Sequence, residues 1–529
     1  MIVNNNKQLN FYSLLYQNIP ENHILKRIDS AVSFEFINKK LEGNYSKNLG
    51  RPAKEPEMMM KLLMLQEMYG LSEIKVMEEA QINLAFMWYI GINPGDPLPH
   101  PSLLSKFKTL RLKDVSMDDI LTDVVRQCVE KGIIKAEDGV SVDATHILAN
   151  TTKKVPERIM KHLAKRIFKA MEQTEYEIPD YTQIEDHEEA KRVMKEYLEG
   201  VMDEADERAK DEVEKAREII ESPLFMEQKG IRSIVDTDAR VGYKTKTDSF
   251  FGYKAEFTMT TGSQLITAVN VRNGAYMDGV DFEGLYNLTK KAGIDVEAIY
   301  GDKAYFKKAI LDMLKRDGVK AYIPVNASSY RVDEDLFAYN KDSDQWVCVR
   351  GNRTVSKKVK NTNNKDRGES QCYEYVFEKA ECIGCPLRDE CIMKANTKAK
   401  KLRVGVNTGE YYEHSQWAKT DEFLEEYKKR AAIEGKNSEL KRFHGLARAK
   451  GFGLQSVSFQ TKMTAIAVNL KRIAALVSSS ESVIDEGATL ASSFEPVITI
   501  FSFKFRAISC SYAILHIISL GSVFNRKLT

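Results

Sequence analysis

Asp143, Asp302 and Glu434 are three carboxylates spread along a chain of 529 residues, and their settings point to chemistry rather than to solvation. Asp143 lies in GVSVDATHILA, residues 139–149, where apolar residues alternate well enough for a strand. Asp302 ends the apolar strand VEAIYGD, at the carboxyl edge where open α/β sheets place their sites. Glu434 shares a long predicted helix, Asp421 to Phe443, with Tyr427, Arg430 and Lys441. Counted from Tyr427, the row falls at roughly 0°, −60°, −20° and −40°, a stripe about 60° wide. A carboxylate flanked by Arg and Lys is held ionised, the form a hard divalent cation binds. Singly, Asp143 or Asp302 also fits a strand-end cap or a turn former. A solvated helix face would explain charges on the helix, but not that row on one narrow stripe. Asp236, Asp238, Asp278 and Asp281 are rival carboxylates near the same strands. Asp302 is preferred because it follows an uninterrupted apolar strand and precedes a helix.

A second cluster is sulfur. Cys372, Cys382, Cys385 and Cys391 crowd a short stretch, and Cys382-x2-Cys385 has chelating spacing. Four thiolates in a reduced compartment would hold a structural Zn²⁺, with Cys348 as a substitute for Cys372. The alternative is a small insert with free thiols. Cys128 and Cys510 read as ordinary thiols.

The elements that must position these groups follow in blocks. Residues 1–115 read as helical: EMMMKLLMLQEMY begins after Pro56, Gly70 breaks it, Ser72 caps a helix to about Phe86, and Ser102 caps LLSKFKTLRL. Such short helices suit a helix-turn-helix-like binding unit or a dimerisation domain. Residues 116–478 predict an α/β domain: the strand over 139–149, strands in FGYKAEFTMT and SQLITAVNV across a Thr-Gly turn, then strand–helix–strand–helix–strand to VKAYIPV. Two inserts interrupt it, a charged helical one at about 151–230 and a Cys-rich one at about 330–410. Residues 479–529 form an atypical tail, a Ser-rich linker and then an apolar run broken by Lys504 and Arg506, to which no function is assigned.

Composition bounds the partners. Hydrophobic residues at 43% and charged residues at 29% exclude a disordered chain, and a net charge of +2 excludes a uniformly basic nucleic-acid coat. Met1 to Pro20 does not read as a signal peptide, seven cysteines make a poor disulfide framework, and a cytoplasmic protein without a membrane anchor is expected.

SVDATHILAN, IYGDKAY and Y-x2-R-x3-E-x6-K resemble the three catalytic motifs of bacterial insertion-sequence DDE transposases. The likeness is to the branch named for its Tyr–Arg–Glu–Lys row. GRPAKEPEMMMKLLMLQEMYGLS and GDPLPHPSLLSKF are similar to the helical domain that precedes the catalytic domain there. The resemblance implies an RNase H-like core in which Asp143, Asp302 and Glu434 bind two Mg²⁺ ions, with Tyr427, Arg430 and Lys441 orienting DNA. Lys428, Lys429, Lys436, Arg442, Arg448 and Lys450 surround that helix as candidates for neutralising backbone phosphate. Implied partners are double-stranded DNA, both element ends and target, and further copies of the chain in the DNA complex. Two other readings remain open: a catalytically silent DNA-binding descendant, and a metal-dependent nuclease without strand transfer.

Overall fold

A computed structural model of the chain describes residues 12–45, 53–113, 115–245, 247–364, 368–392 and 397–491. Its centre is the strand Glu137–Leu148 (β1), in which Val140, Val142 and Ile147 are all fully buried, as befits a strand covered on both faces. The other strands of this six-stranded sheet are Arg240–Tyr243 (β2), Ser249–Thr260 (β3), Ile266–Asn273 (β4), Asp295–Tyr300 (β5) and Lys320–Tyr322 (β6). β3 lies antiparallel between β1 on one side and β2 and β4 on the other; β5 and β6 continue from β1 in parallel. The helices Met117–Glu130 and Phe282–Lys291 pack against β4. Beneath Phe282–Lys291 the hydroxyls of Thr258, Thr267 and Thr289 bond one another in the core.

One apolar core runs from this sheet into the N-terminal helices. Pro56–Tyr69 buries its Met and Leu residues nearly all round, as a helix enclosed by neighbours must. Gly70, at φ 66°, ends it, and the Ser72 hydroxyl accepts from the Lys75 amide at 3.2 Å to start the next. The helix expected to reach Phe86 stops at Ile82, because the Asn83 side chain accepts from the Ala85 and Phe86 amides and starts a new one, Leu84–Ile90. Ser102 does not cap; it lies in the first turn and its hydroxyl meets His100 Nδ1 at 2.8 Å.

Between β1 and β2 the helices Pro156–Ala170, His187–Asp203 and Lys210–Ile220 enclose their own apolar cluster, among it Met160, Leu163, Met194 and Leu198. After β6 come a two-stranded sheet, Phe337–Asn340 (β7) with Gln345–Cys348 (β8), and a three-stranded one, Thr354–Asn364 (β9), Gly368–Phe377 (β10) and Lys401–Gly405 (β11). A further cluster around Phe337, Trp346, Tyr375 and Phe377 joins them.

The last helix, Leu454–Ala491, runs well into the stretch expected to be a linker. Its Asn469 side chain bonds both the amide and the carbonyl of Ile266, standing in for a strand partner of β4. Residues 1–480 cluster as one unit; of 481–529 only 481–491 are described, so the apolar tail lies outside the described residues. Among the described residues no helix is long and apolar enough to cross a membrane.

β3 leaves no room for a side chain against β1 at Gly252, where φ is 155° and a Cβ would stand 2.1 Å from the Ile147 carbonyl oxygen. Gly252→Ala therefore forces the two central strands apart and destabilises the fold by roughly 3 kcal/mol, read as a drop of several degrees in the thermal midpoint.

Candidate active site

Strand pairing brings the first two carboxylates together. β1 and β5 are parallel with Ser141 opposite Tyr300, so Asp143 and Asp302 each stand two residues further on, side by side at the carboxyl end of the sheet. Asp302 also accepts from the Ala304 amide at 2.8 Å and so caps the single 3-10 turn Lys303–Tyr305. The cap and the site position are compatible, since only one carboxylate oxygen is taken.

The third carboxylate arrives on the helix Ala431–Phe443, whose Ile433 and Leu440 are fully buried. Its far end is tied to β1 by backbone: the Leu148 amide donates to the Ala447 carbonyl at 3.0 Å and the Ala449 amide to the Leu148 carbonyl at 2.8 Å. The long helix expected from Asp421 to Phe443 is in fact two, Asp421–Tyr427 and Ala431–Phe443, joined by the 3-10 turn Lys428–Arg430. A 3-10 turn advances about 120° per residue, which shifts Tyr427 relative to the rest of the row. Even so, Tyr427 stays close enough to Arg430, Asp302 and Glu434 to feel their charges, burial being the larger influence that raises its pKa.

Arg430 is the hub of the site. One guanidinium nitrogen donates to Asp143 at 3.0 Å and another to Glu434 at 2.6 Å. Arg430 and Asp143 are nearly buried, at 14% and 16% side-chain exposure, whereas Glu434 remains 60% exposed. Asn437, one helical turn beyond Glu434, donates to the other Asp143 oxygen at 2.8 Å. Burial pushes the Asp143 carboxyl up to about 6; Arg430 opposes that shift and the neighbouring Asp302 adds to it. Lys441 reaches His146 Nδ1 at 3.2 Å. Its ammonium is pulled down to about 8 by burial and by Lys244, with Asp143 opposing. The His146 imidazole, packed on Phe250, is pulled down to about 4 by burial and by Lys441 and Lys244.

The residue types fit divalent cations in kind. Asp143 and Asp302 adjoin at the end of the sheet, Glu434 is tied to Asp143 through Arg430, and Asn437 Oδ1 is buried beside Asp143 without a hydrogen-bond partner. Among the described residues, however, no three His, Cys, Asp or Glu side chains stand close enough to share one ion. The Arg430 guanidinium lies between Asp143 and Glu434 and bonds both.

The rival carboxylates have other partners. Asp236 accepts from the Tyr253 hydroxyl and from the Ala239 and Gly453 amides, Asp238 accepts from the Leu454 amide, Asp278 pairs with Lys254 and Asp281 with Arg272. The basic residues divide likewise. Lys428 pairs with Glu425 and Lys429 with Glu426; Arg448 donates to the Ala149 carbonyl, and Lys450 meets Glu67. Lys436 is only 8% exposed and bonded to Glu439, so burial removes it as a phosphate contact. Arg442 is exposed and has no ion-pair partner among the described residues.

Sequence reasoning missed Asn437, Glu256 and Tyr305. Glu256, beside Ala144 on β3, is buried and accepts from the Gly279 amide and from the Tyr276 and Tyr305 hydroxyls. Burial, with Glu256, Asp143, Asp278 and Asp302 around it, holds the Tyr305 phenol far above its usual pKa, so it stays a neutral donor. Asn437 was legible as the residue three beyond Glu434 on the same helix face. An acidic residue inside an otherwise apolar strand was the signal for Glu256.

Residues 13–110 match the family described as Transposase domain (DUF772), and residues 347–474 match the family described as Transposase DDE domain. The second stretch carries the Tyr427–Lys441 row; Asp143 and Asp302 lie outside both. A solved structure of the piggyBac transposase synaptic complex with hairpin DNA is similar at 10% identity and a TM-score of 0.31, covering 89% of this chain and 77% of that one. No curated protein matches.

The raised Asp143 pKa has a sign that can be measured. Between pH 4 and about 6 the folded chain holds a proton there that the unfolded chain has lost, so Asp143 contributes less stability as pH rises through that window. Relative to wild type, Asp143→Asn therefore gains on the order of 3 kcal/mol between pH 4 and 6 and nothing further above it. Unfolding midpoints of both proteins across that range check this.

Proposed function

Since the chain belongs to the DDE transposases of insertion sequences, we propose that it cuts the ends of its own element and joins the freed 3′-hydroxyl to target DNA. In the first step a water oxygen bonds to phosphorus and the 3′-oxygen leaves with a proton; in the second the 3′-hydroxyl is the nucleophile on a target phosphodiester. The observation that carries the reading is Arg430, which ties Asp143 from the sheet to Glu434 from the third motif, beside Asp302. The RNase H-like core is part of the proposal and is supported by the order of β1, β3 and β4, which are antiparallel, followed by β5 and β6, which run parallel to β1.

Asp143, Asp302 and Glu434 are the residues that would hold two Mg²⁺ ions. Ions held there would supply activation of the attacking oxygen and stabilisation of the leaving one. The chain's own cations do the positioning. The planar fork of Arg430 suits a backbone phosphate as well as it suits two carboxylates. Lys441 supplies a second positive charge, Tyr427 a hydroxyl near Arg430, and exposed Arg442 an uncommitted guanidinium at the end of the same helix. Holding two element ends for cutting calls for more than one copy of the chain.

Two experiments test this. Given Mg²⁺ and duplex DNA bearing the terminal repeats that flank the gene, the wild-type protein nicks at the element end; Asp302→Asn loses nicking by more than a hundredfold and keeps its affinity for that DNA. Equal nicking by the Asn variant rejects the site, and binding without nicking by the wild type favours the silent descendant. Lys441 loses its charge as pH rises through about 8, so wild-type affinity for the same duplex falls on the order of fivefold between pH 7 and 9, while Lys441→Arg stays level. Fluorescence anisotropy at fixed salt reads the difference.

A further inference from the structure

We propose that Cys348, Cys382, Cys385 and Cys391 form a structural Zn²⁺ site, with Cys372 excluded from it. All four thiols line one cavity of about 40 Å³ in the segment between β6 and the third-motif helices. They come from separate pieces of chain. Cys348 ends β8 and enters a tight turn in which the Gly351 amide, at φ 83°, donates to the Cys348 carbonyl at 2.8 Å. Cys382 lies in the short helix Lys379–Ile383, Cys385 follows Gly384, and Cys391 ends the helix Arg388–Cys391.

Strand parity removes Cys372. On β10, Tyr373, Tyr375 and Phe377 face the apolar cluster against which Cys348, Cys382 and Cys391 pack. Successive side chains alternate between faces, so Cys372 shares the opposite face with Glu374, which pairs with Lys360 and Arg403. The sequence spacing that favoured Cys372 is thus overruled by which side of the strand it occupies.

The surroundings suit a four-thiolate ion. The Lys400 amide donates to Cys382 Sγ at 3.4 Å, the outer hydrogen bond that metal-bound sulfur commonly receives. Lys400 Nζ donates to the Cys391 carbonyl at 2.5 Å and Arg388 to the Cys382 carbonyl at 3.0 Å, which places two cations beside a centre of net charge −2. The thiols also sense one another: burial raises the Cys391 pKa, and Cys382, Cys348 and Cys385 add to it. None of the four is in a disulfide. As the side chains stand, no three share coordination geometry, so loading requires thiol rotation within the cavity. A space of this size takes a single ion rather than an iron–sulfur cluster with its sulfides. The need is physical too: the segment's own core is five buried side chains, Phe337, Trp346, Tyr375, Phe377 and Val404, too few to order such a length of chain without a staple.

The full-length protein, purified under reducing conditions, should carry one zinc per chain by elemental analysis. Cys348→Ser and Cys391→Ser should lose it, and Cys372→Ser should keep it. Differential alkylation of the wild type avoids any folding defect of the variants: with zinc bound, Cys348, Cys382, Cys385 and Cys391 should be protected and Cys372 modified, and chelation should expose all five. Co²⁺ added to stripped protein should give the intense absorption of tetrahedral thiolate coordination. A protein that neither carries nor takes up Zn²⁺ or Co²⁺, iron with labile sulfide, or protection of Cys372 in place of Cys348 would each overturn the assignment. None of these readouts depends on transposition.

Discussion

A guanidinium held between two carboxylates organises this molecule's site. Asp143 is nearly buried at the end of a central strand, where an ionised carboxylate is expensive unless a positive charge stands beside it. Arg430 supplies that charge and reaches Glu434 with its other arm, so one side chain joins segments nearly 300 residues apart in sequence. Everything that places Arg430 therefore places the two carboxylates it holds. The 3-10 turn aims it, buried Ile433 and Leu440 seat the helix that follows, and the backbone annex between Leu148 and Ala447–Ala449 fixes that helix to the strand it must serve.

The same arrangement explains why the recess tolerates so many acids. Asp143, Asp302, Glu256 and Asp278 surround Tyr305, whose buried hydroxyl donates to Glu256 and so lowers the concentration of unscreened charge. Lys254 holds Asp278, and Arg430 holds Asp143. Asp302 and the exposed Glu434 are the carboxylates left most open to a further cation. Acidic and basic side chains are thus interleaved here, in a chain whose total charge is itself close to zero.

Much of this was legible in the sequence. The alternation in GVSVDATHILA and the apolar run before Asp302 located both strands, and the Tyr–Arg–Glu–Lys row located the third element. The failures share a cause. Periodicity assumes continuous elements, so the break at Lys428–Arg430 and the Asn83 cap were invisible to it. Spacing along the chain also ignores the face of a strand, and Cys372 lies on the face of β10 opposite Tyr373 and Tyr375. Charge type ignores burial, which is why Lys436 joined the phosphate contacts. Glu256 and Asn437 each left a local signal, but the partners that give them meaning, Tyr305 and Asp143, come from distant segments.

The side-chain amide of Asn469, bonded to both backbone groups of Ile266, has a bearing on how the margin of the sheet is closed. A sheet with a bare rim invites another sheet to extend it, and that route leads to fibres as readily as to dimers. Here the β4 rim is plugged by a carboxamide from the last helix, and the opposite rim, β6, is only three residues long. One margin is thus closed at Ile266 and the other is short, so the sheet presents little edge for a neighbouring strand to extend.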